Sequence, residues 1–380
     1  MDKKIFFISG EASGDLLAGF LIKELISLDP SVKIRGIGGE RMKSQGMDVI
    51  LPVEKLGVTG FLEVIGKINL LKFAFNKCIK DFEKEKPDAV VLVDYPGFNL
   101  RIAREAKKRN IPVIYFISPQ VWAWGIKRIG LIKKYVDLMI VVFRFEEQIY
   151  KKHNIPVRFV GHPLLDIVKP EHNRTLFRKI NNIPQGTNVV AILPGSRSNE
   201  INKILPVFLS SAEIIKKEFQ DSIFFIAQSP FLKKDIYQKY LQKHNLPVII
   251  SGSTYDILNA SDFALVCSGT ATLETAIINT PMIVAYKLSF LSFLIAKNLV
   301  KIKNIAMVNV VAEKKIVDEY VQGRATQENI ARRAIAILKD KEIYTKIKND
   351  LKNVKDMLGQ GGACKEAAKE IVDFLNKQVC

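Results

Sequence analysis

Several short segments of this sequence end an apolar run and open a helical one with residues that can move a proton or hold an anion. Asp94-Tyr95-Pro96-Gly97-Phe98-Asn99 follows the run Ala89–Val93. A carboxylate at the carboxyl end of a strand stands where a general base for a substrate hydroxyl has to sit. The competing role for Asp94 is a cap on a helix beginning near Phe98. Ile117-Ser118-Pro119-Gln120-Val121-Trp122-Ala123-Trp124 holds both tryptophans of the chain. Pro and Gln do not suit the middle of a core strand, so the segment reads as a loop. An indole beside an amide suits a sugar or a lipid ester, and packing under a loop is the bland alternative.

Three further turns read as anion sites. Ser9-Gly10-Glu11-Ala12-Ser13-Gly14-Asp15 joins the first strand to a helix, where glycines admit close approach and free N–H groups face a ligand. Its spacing is not the dinucleotide GxGxxG fingerprint, and a tight turn capped by Ser and Asp explains it equally well. Pro194-Gly195-Ser196-Arg197 precedes a helix, and Arg197 can grip phosphate oxygens bidentately. Ser268-Gly269-Thr270 offers short donors to a second phosphate, and Glu274 in the following turn can accept from ribose hydroxyls or cap its own helix. Two such loops without a Walker lysine fit a nucleoside diphosphate better than ATP hydrolysis.

These loops need strands behind them, and the sequence supplies an alternating pattern. Apolar runs at Lys4–Ile8, Val32–Ile37, Ala89–Val93, Val113–Ile117, Leu138–Val142 and Arg158–Val160 alternate with helical stretches such as Leu16–Leu28 and Leu100–Arg109. The pattern pauses over Gly161–Asn182 and restarts with Asn188–Leu193, Ile223–Ala227, Val248–Ile250, Phe263–Val266 and Met282–Ala285. Uninterrupted apolar strands between helices indicate parallel sheets covered on both faces. The expected fold class is α/β, two Rossmann-like doubly wound domains facing a cleft, with ligands at the carboxyl ends of the strands. The expected domains are 1–165, taking the acceptor and lipid, and 166–355, taking the nucleotide sugar. A C-terminal helix in 356–380 is expected to pack back on the N-terminal domain.

Composition limits the alternatives. Of 380 residues 48% are hydrophobic and 25% charged, a globular balance too long for one core. The four cysteines and four histidines show no metal-ligand spacing, so no metal and no cofactor is expected. No stretch approaches the roughly 20 apolar residues of a membrane span, so the protein reads as cytoplasmic and at most peripheral to a membrane. A net charge of +18 favours polyanionic partners. Without a basic tail, finger spacing or RNP-like strand, nucleic acid is not expected among them.

Taken together the motifs SGEASGD, DYPGFN, SPQVWAW, GHP (Gly161–Pro163), PGSR and SGTATLE resemble, in order, those of the lipid-A-disaccharide synthases. The resemblance runs from the first strand to about Gln322 and resumes at Gly359–Gly362. It implies a GT-B fold and a metal-free, inverting transfer from UDP-2,3-diacylglucosamine to 2,3-diacylglucosamine 1-phosphate, forming a β-1,6 disaccharide at the inner face of the inner membrane. It implies Asp94 as base, with Ser196, Arg197, Ser268, Gly269, Thr270 and Glu274 around the nucleotide. Substrate contacts are then expected from Ser13, Gly14, Asn99, Gln120, Trp122, Asn309, Glu319 and Gln322. Val308 stands where the family has Pro before Asn309, and Asp318 where it has Pro before Glu319. A homodimer is left open.

Other readings share part of this pattern. A UDP-N-acetylglucosamine epimerase or the transferase of peptidoglycan lipid assembly has the second-half loops without SGEASGD or SPQVWAW; products from acylated substrates discriminate. A non-catalytic basic membrane-surface protein would gain no thermal protection from UDP. Lastly, Phe61–Lys80 carries apolar residues at helical spacing, widened by Leu70 and Phe73 and bordered by lysines. That pattern fits either a core helix or one lying on an anionic bilayer through Phe61, Leu70, Leu71 and Phe73. Lys287–Lys303 is a second candidate contact.

Overall fold

A computed structural model describes residues 3–53, 68–230, 232–288 and 304–379. The chain divides into two compact units, Met1–Pro163 with Gly359–Cys380, and Leu164–Leu358. The first contains a seven-stranded parallel sheet ordered β3-β2-β1-β4-β5-β6-β7. Its strands are β1 (Lys4–Ser9), β2 (Lys33–Gly38), β3 (Asp48–Pro52), β4 (Ala89–Val93), β5 (Val113–Phe116), β6 (Leu138–Val141) and β7 (Val157–Phe159). The second contains a six-stranded parallel sheet ordered β10-β9-β8-β11-β12-β13. These are β8 (Val189–Leu193), β9 (Ile223–Ala227), β10 (Val248–Ser251), β11 (Phe263–Cys267), β12 (Met282–Tyr286) and β13 (Asp318–Val321).

The central strands are apolar on both faces because helices cover both. Every residue of β4, β5, β6, β8 and β11 is buried, as a parallel sheet between helical layers requires. Register aligns the strand ends that matter: Ser9 lies beside Val93, and Val93 beside Phe116. Asp94 and Ser118 therefore leave the sheet at neighbouring carboxyl ends.

The two strands without an expected counterpart, β3 and β13, are edge strands. Each has a neighbour on one side only, and polar residues are compatible with such a position. β13 is Asp-Glu-Tyr-Val and nowhere fully buried. Two helices also begin earlier than expected. Ala12–Leu28 opens inside the SGEASGD motif, which puts Ser13 and Gly14 in the first helical turn. Pro96–Lys108 opens at Pro96, a residue suited to a first helical position.

In the helix Ile68–Glu85, Ala74, Cys78 and Phe82 are buried, and Leu70, Leu71, Phe75 and Ile79 pack partly on the same core. Phe73 and Ile68 are exposed, each 55%. Phe61 lies outside the described residues, as does nearly all of Lys287–Lys303. Among the described residues no helix is long and apolar enough to cross a membrane. The helix Ala363–Val379 packs on Ala12–Leu28 within the first unit.

Candidate active site

The turn after β4 is tightly constrained. Asp94 and Tyr95 are consecutive non-glycine residues with φ of 45° and 48°. Left-handed backbone at such residues persists only where surroundings enforce it, and it clusters at functional sites. Here Asn99 Nδ2 donates to the carbonyls of Val93 (3.2 Å) and Asp94 (2.7 Å), and the Tyr115 hydroxyl donates to the Asp94 carbonyl at 2.5 Å. Asn99 is fully buried. The residue expected to touch substrate thus binds the chain and holds the Asp94 turn, because its amide is enclosed beneath the turn.

The helix cap at this turn is Tyr95, and no side chain caps it. The Asp94 carboxyl is pushed up to about 6, mainly by burial and further by the charge of Glu11, against the pull of the Tyr95 N–H. A carboxylate tuned toward neutrality is suited to accept a hydroxyl proton.

The SGEASGD turn interlocks with it. A Cβ on Gly10 would lie 2.2 Å from the Tyr95 ring, and one on Gly14 would lie 2.6 Å from Ser9 Oγ. Both glycines are explained by close packing, so Gly14 is no open cradle. Ser13 is exposed. Asp15, 24 residues away in sequence, accepts from the N–H groups of Gly39 (2.6 Å), Arg41 (3.1 Å) and Met42 (3.2 Å). It therefore caps the helix Glu40–Ser44 and not its own.

After β5, the short helix Val121–Trp124 carries Trp122 half-buried, edge-on to Phe145 with ring centres 5.5 Å apart. Its Nε1 donates to Glu146 Oε1 at 3.2 Å. Gln120 is exposed beside it. Sequence reasoning missed Glu146, since a glutamate in the polar stretch Arg144–Lys152 reads as a solvated face. His162 of the GHP motif is buried against Phe143, and burial pulls its imidazole down to about 4, so it is neutral.

In the second unit the PGSR turn follows β8 and opens the helix Ser198–Glu218. The N–H groups of Ser196 and Arg197, expected to face phosphate, donate to Glu200 Oε2 at 3.0 and 3.3 Å. The Arg197 guanidinium is half-exposed, 3.6 Å from the same carboxylate. After β11, Gly269 (φ 153°) has open space where a Cβ would stand, and Thr270 is exposed at the start of the helix Ala271–Ile278. Ser268 Oγ donates to the Ile305 carbonyl at 3.0 Å, which ties it to a neighbouring loop. Burial pushes Glu274 up to about 7, partly offset by a hydrogen bond from Tyr255.

Asn309, Glu319 and Gln322 form a scaffold around these loops. Asn309 is fully buried; its Nδ2 donates to Val317 O and Glu319 Oε1, and its Oδ1 accepts from the N–H groups of Ile316 and Val317. No hydrogen-bonding position on it is left for a ligand. Glu319 also accepts from the N–H groups of Ile305 (2.8 Å) and Ala306 (3.1 Å), and Gln322 Oε1 accepts from Leu288 N at 2.8 Å. These three side chains bind loop backbone, the role their buried or half-buried places allow.

A family model described as lipid-A-disaccharide synthetase matches residues 5–372. The lipid-A-disaccharide synthase of Syntrophus aciditrophicus is 39% identical over 380 residues, covering 100% of this chain and 99% of that one. Among solved structures, a UDP-N-acetylglucosamine 2-epimerase from Listeria monocytogenes superposes with TM-score 0.66 at 11% identity, covering 99% of this chain and 98% of its own. The calicheamicin glycosyltransferase CalG4 does so with TM-score 0.64 at 14% identity, with the same coverage. At such identities those two likenesses speak for the GT-B fold alone. The full-length sequence match carries the assignment, and the chain belongs to the lipid-A-disaccharide synthase family of glycosyltransferases.

Proposed function

We propose that the chain transfers 2,3-diacylglucosamine from its UDP derivative to the 6-hydroxyl of 2,3-diacylglucosamine 1-phosphate, with inversion and with Asp94 as base. The observation that carries this reading is the Asp94 turn: a half-buried carboxyl raised to about 6 on a backbone held left-handed by Asn99 and Tyr115. Above that value it is ionised and able to take the hydroxyl proton as the oxygen attacks the anomeric carbon. The bond from that carbon to the diphosphate breaks as the new glycosidic bond forms, and UDP leaves. Negative charge growing on the diphosphate is stabilised by Arg197 and by the helix N-terminus at Thr270, with Ser196 and Gly269 lining the turns. No metal is required in this scheme. Glu274 accepts from the ribose hydroxyls. Ser13, Gln120 and Trp122 stand on the acceptor side.

The acceptor's acyl chains and phosphate suit a +18 protein working at the cytoplasmic face of an anionic inner membrane. Phe73, with Leu70 and Leu71 beside it, is the proposed contact among the described residues. Mixing purified protein with both acylated glucosamines tests the reaction: UDP release together with a disaccharide 1-phosphate is expected. UDP release that needs no acceptor would sink it.

A further inference from the structure

Three helices of the first unit, Ile68–Glu85, Pro96–Lys108 and Ile129–Tyr135, pack each on the next. Ala74 and Cys78, Phe98 and Ile102, and Ile129 and Ile132 turn from them into one core. Their outer sides therefore form one surface. Charge on it is one-sided. Every acidic residue of the three helices is ion-paired: Asp81 with Arg35, Glu83 with Arg109, Glu85 with Lys4 and Glu105 with Lys108. Lys72, Arg101, Arg104, Lys133 and Lys134 stand exposed. Between Glu105 and Asp137 the sequence has seven Lys and Arg residues and no Asp or Glu.

Apolar side chains emerge on the same surface. Ile126 and Leu131 are 62% and 46% exposed. Ile129 and Ile132 face the core, which leaves Leu131 on the outer side, one turn from Lys134. Ile126 follows the tryptophan loop after β5, so it lies at the carboxyl ends of the strands. Phe75 meets Phe98 edge-on with ring centres 6.3 Å apart. That contact sets the first half of Ile68–Glu85, with exposed Phe73, beside the helix start that follows Asp94. A single exposed leucine needs no explanation. Two large apolar side chains within six residues, among bases with no acid between them, match an element lying in an anionic interface.

We propose that Ile126 and Leu131 are a second membrane anchor, separate from Phe73, and that the two anchors together lay the Asp94 rim of the first sheet on an anionic bilayer. An acylated acceptor then reaches Asp94 without leaving the interface. The proposal rests on the reading of the acceptor as a membrane lipid. Charge selects the occupant: anionic headgroups complement exposed lysines and arginines. A second copy of the chain, meeting this face with the same face, would bring like charge against like.

Co-sedimentation of the full chain with phosphatidylcholine vesicles, with and without phosphatidylglycerol, tests the anchor. The wild type is expected to bind the mixed vesicles and to come off in high salt. I126S/L131S should bind them about 10–100-fold more weakly, with UDP protection against heat unfolding unchanged. K133Q/K134Q keeps both apolar side chains and should weaken binding roughly 30-fold, the worth of two basic residues at an anionic surface. It decides alone if I126S/L131S does not fold. Wild-type binding by either folded variant overturns the proposal, as does equal binding of the wild type to neutral vesicles. So does a change in the sedimentation velocity of free I126S/L131S without a change in vesicle binding, which would make this face a contact between copies. The binding measurement uses neither acylated glucosamine. If neither reacts, the substrate reading falls and the vesicle result still decides on the anchor. If both react while the variants bind vesicles like the wild type, the anchor falls and the reaction stands.

Discussion

Glu200 places one carboxylate oxygen 3.0 Å from the Ser196 N–H and 3.3 Å from that of Arg197, so the turn that opens its helix already holds an anion of its own. The arrangement is a capping box, with the Arg197 backbone as cap and Glu200 at the third helical position. The donors of the turn are thus committed to the fold, while the half-exposed guanidinium reaches outward.

This separates two roles that one motif seemed to combine. Glu200→Ala is expected to cost about 1 kcal/mol of stability, the usual worth of a helix cap, measured by chemical denaturation. Arg197→Ala should leave stability nearly unchanged and lower kcat/KM by the equivalent of about 1.5–3 kcal/mol. Wild-type kinetics in the arginine variant would remove it from the diphosphate site.

Asp94→Asn is the direct test of the base. Asn tolerates left-handed backbone, so the turn should survive. Turnover is expected to fall roughly 10²–10⁴-fold with UDP affinity retained. In the wild type, activity should rise with pH through about 6, where Asp94 ionises. Its folded pKa lies above the unfolded one, so its contribution to stability is full at acid pH and is lost as pH rises through the folded value. The variant should accordingly melt no lower than the wild type at neutral pH. A collapse in Tm would mean that the carboxylate is structural.

Glu274 should make UDP affinity depend on pH. Raised to about 7 by burial, it is ionised, and a better acceptor for ribose hydroxyls, only above that value. Titration calorimetry is expected to show UDP binding strengthening as pH rises through about 7. Glu274→Gln should flatten that dependence. Tyr255→Phe removes the hydrogen bond that lowers Glu274 and should shift the midpoint upward. A pH-independent wild type would exclude Glu274 from the ribose.

For the membrane reading, Phe73→Ser is cleaner than changes at Leu70 or Leu71, which partly serve the core. Removing one phenylalanine from a bilayer interface should weaken binding to phosphatidylglycerol vesicles by about 10–100-fold, from the roughly 1.5–3 kcal/mol of a buried aromatic side chain. Co-sedimentation measures it, with UDP protection as the control for folding. Equal sedimentation of both proteins would exclude Phe73 from the contact.

Much of this was legible in the residues. Continuous Val/Ile runs announced the buried strands, and glycine turns at their ends announced the loops. Two edge strands were not: β3 has only three apolar residues between Asp48 and Pro52, and β13 is Asp-Glu-Tyr-Val and nowhere fully buried. Partners that lie far apart in the chain were also hidden. Asp15 looks like a cap for its own helix and serves Glu40–Ser44. Asn99 and Asn309 hydrogen-bond buried backbone groups, a role that neither sequence motif announces. Glu146 carries no pattern of its own; only the fold brings it under Trp122.

The chain path of the first unit has a consequence for synthesis. Ala18, Leu21, Ile22 and Leu25 are buried in a helix that packs on Ala363–Val379, and the latter buries Ala367, Ala368, Ile371 and Leu375 in return. On the ribosome the early helix emerges without that neighbour, and the whole second unit is made before it arrives. At typical elongation rates the interval is on the order of tens of seconds. The nascent first unit therefore waits with an uncovered apolar face, while the unit made later can close on itself first. Chains stopped after residue 358 would keep that face open permanently, which makes them expected clients of chaperones and proteases in a way that full-length chains are not.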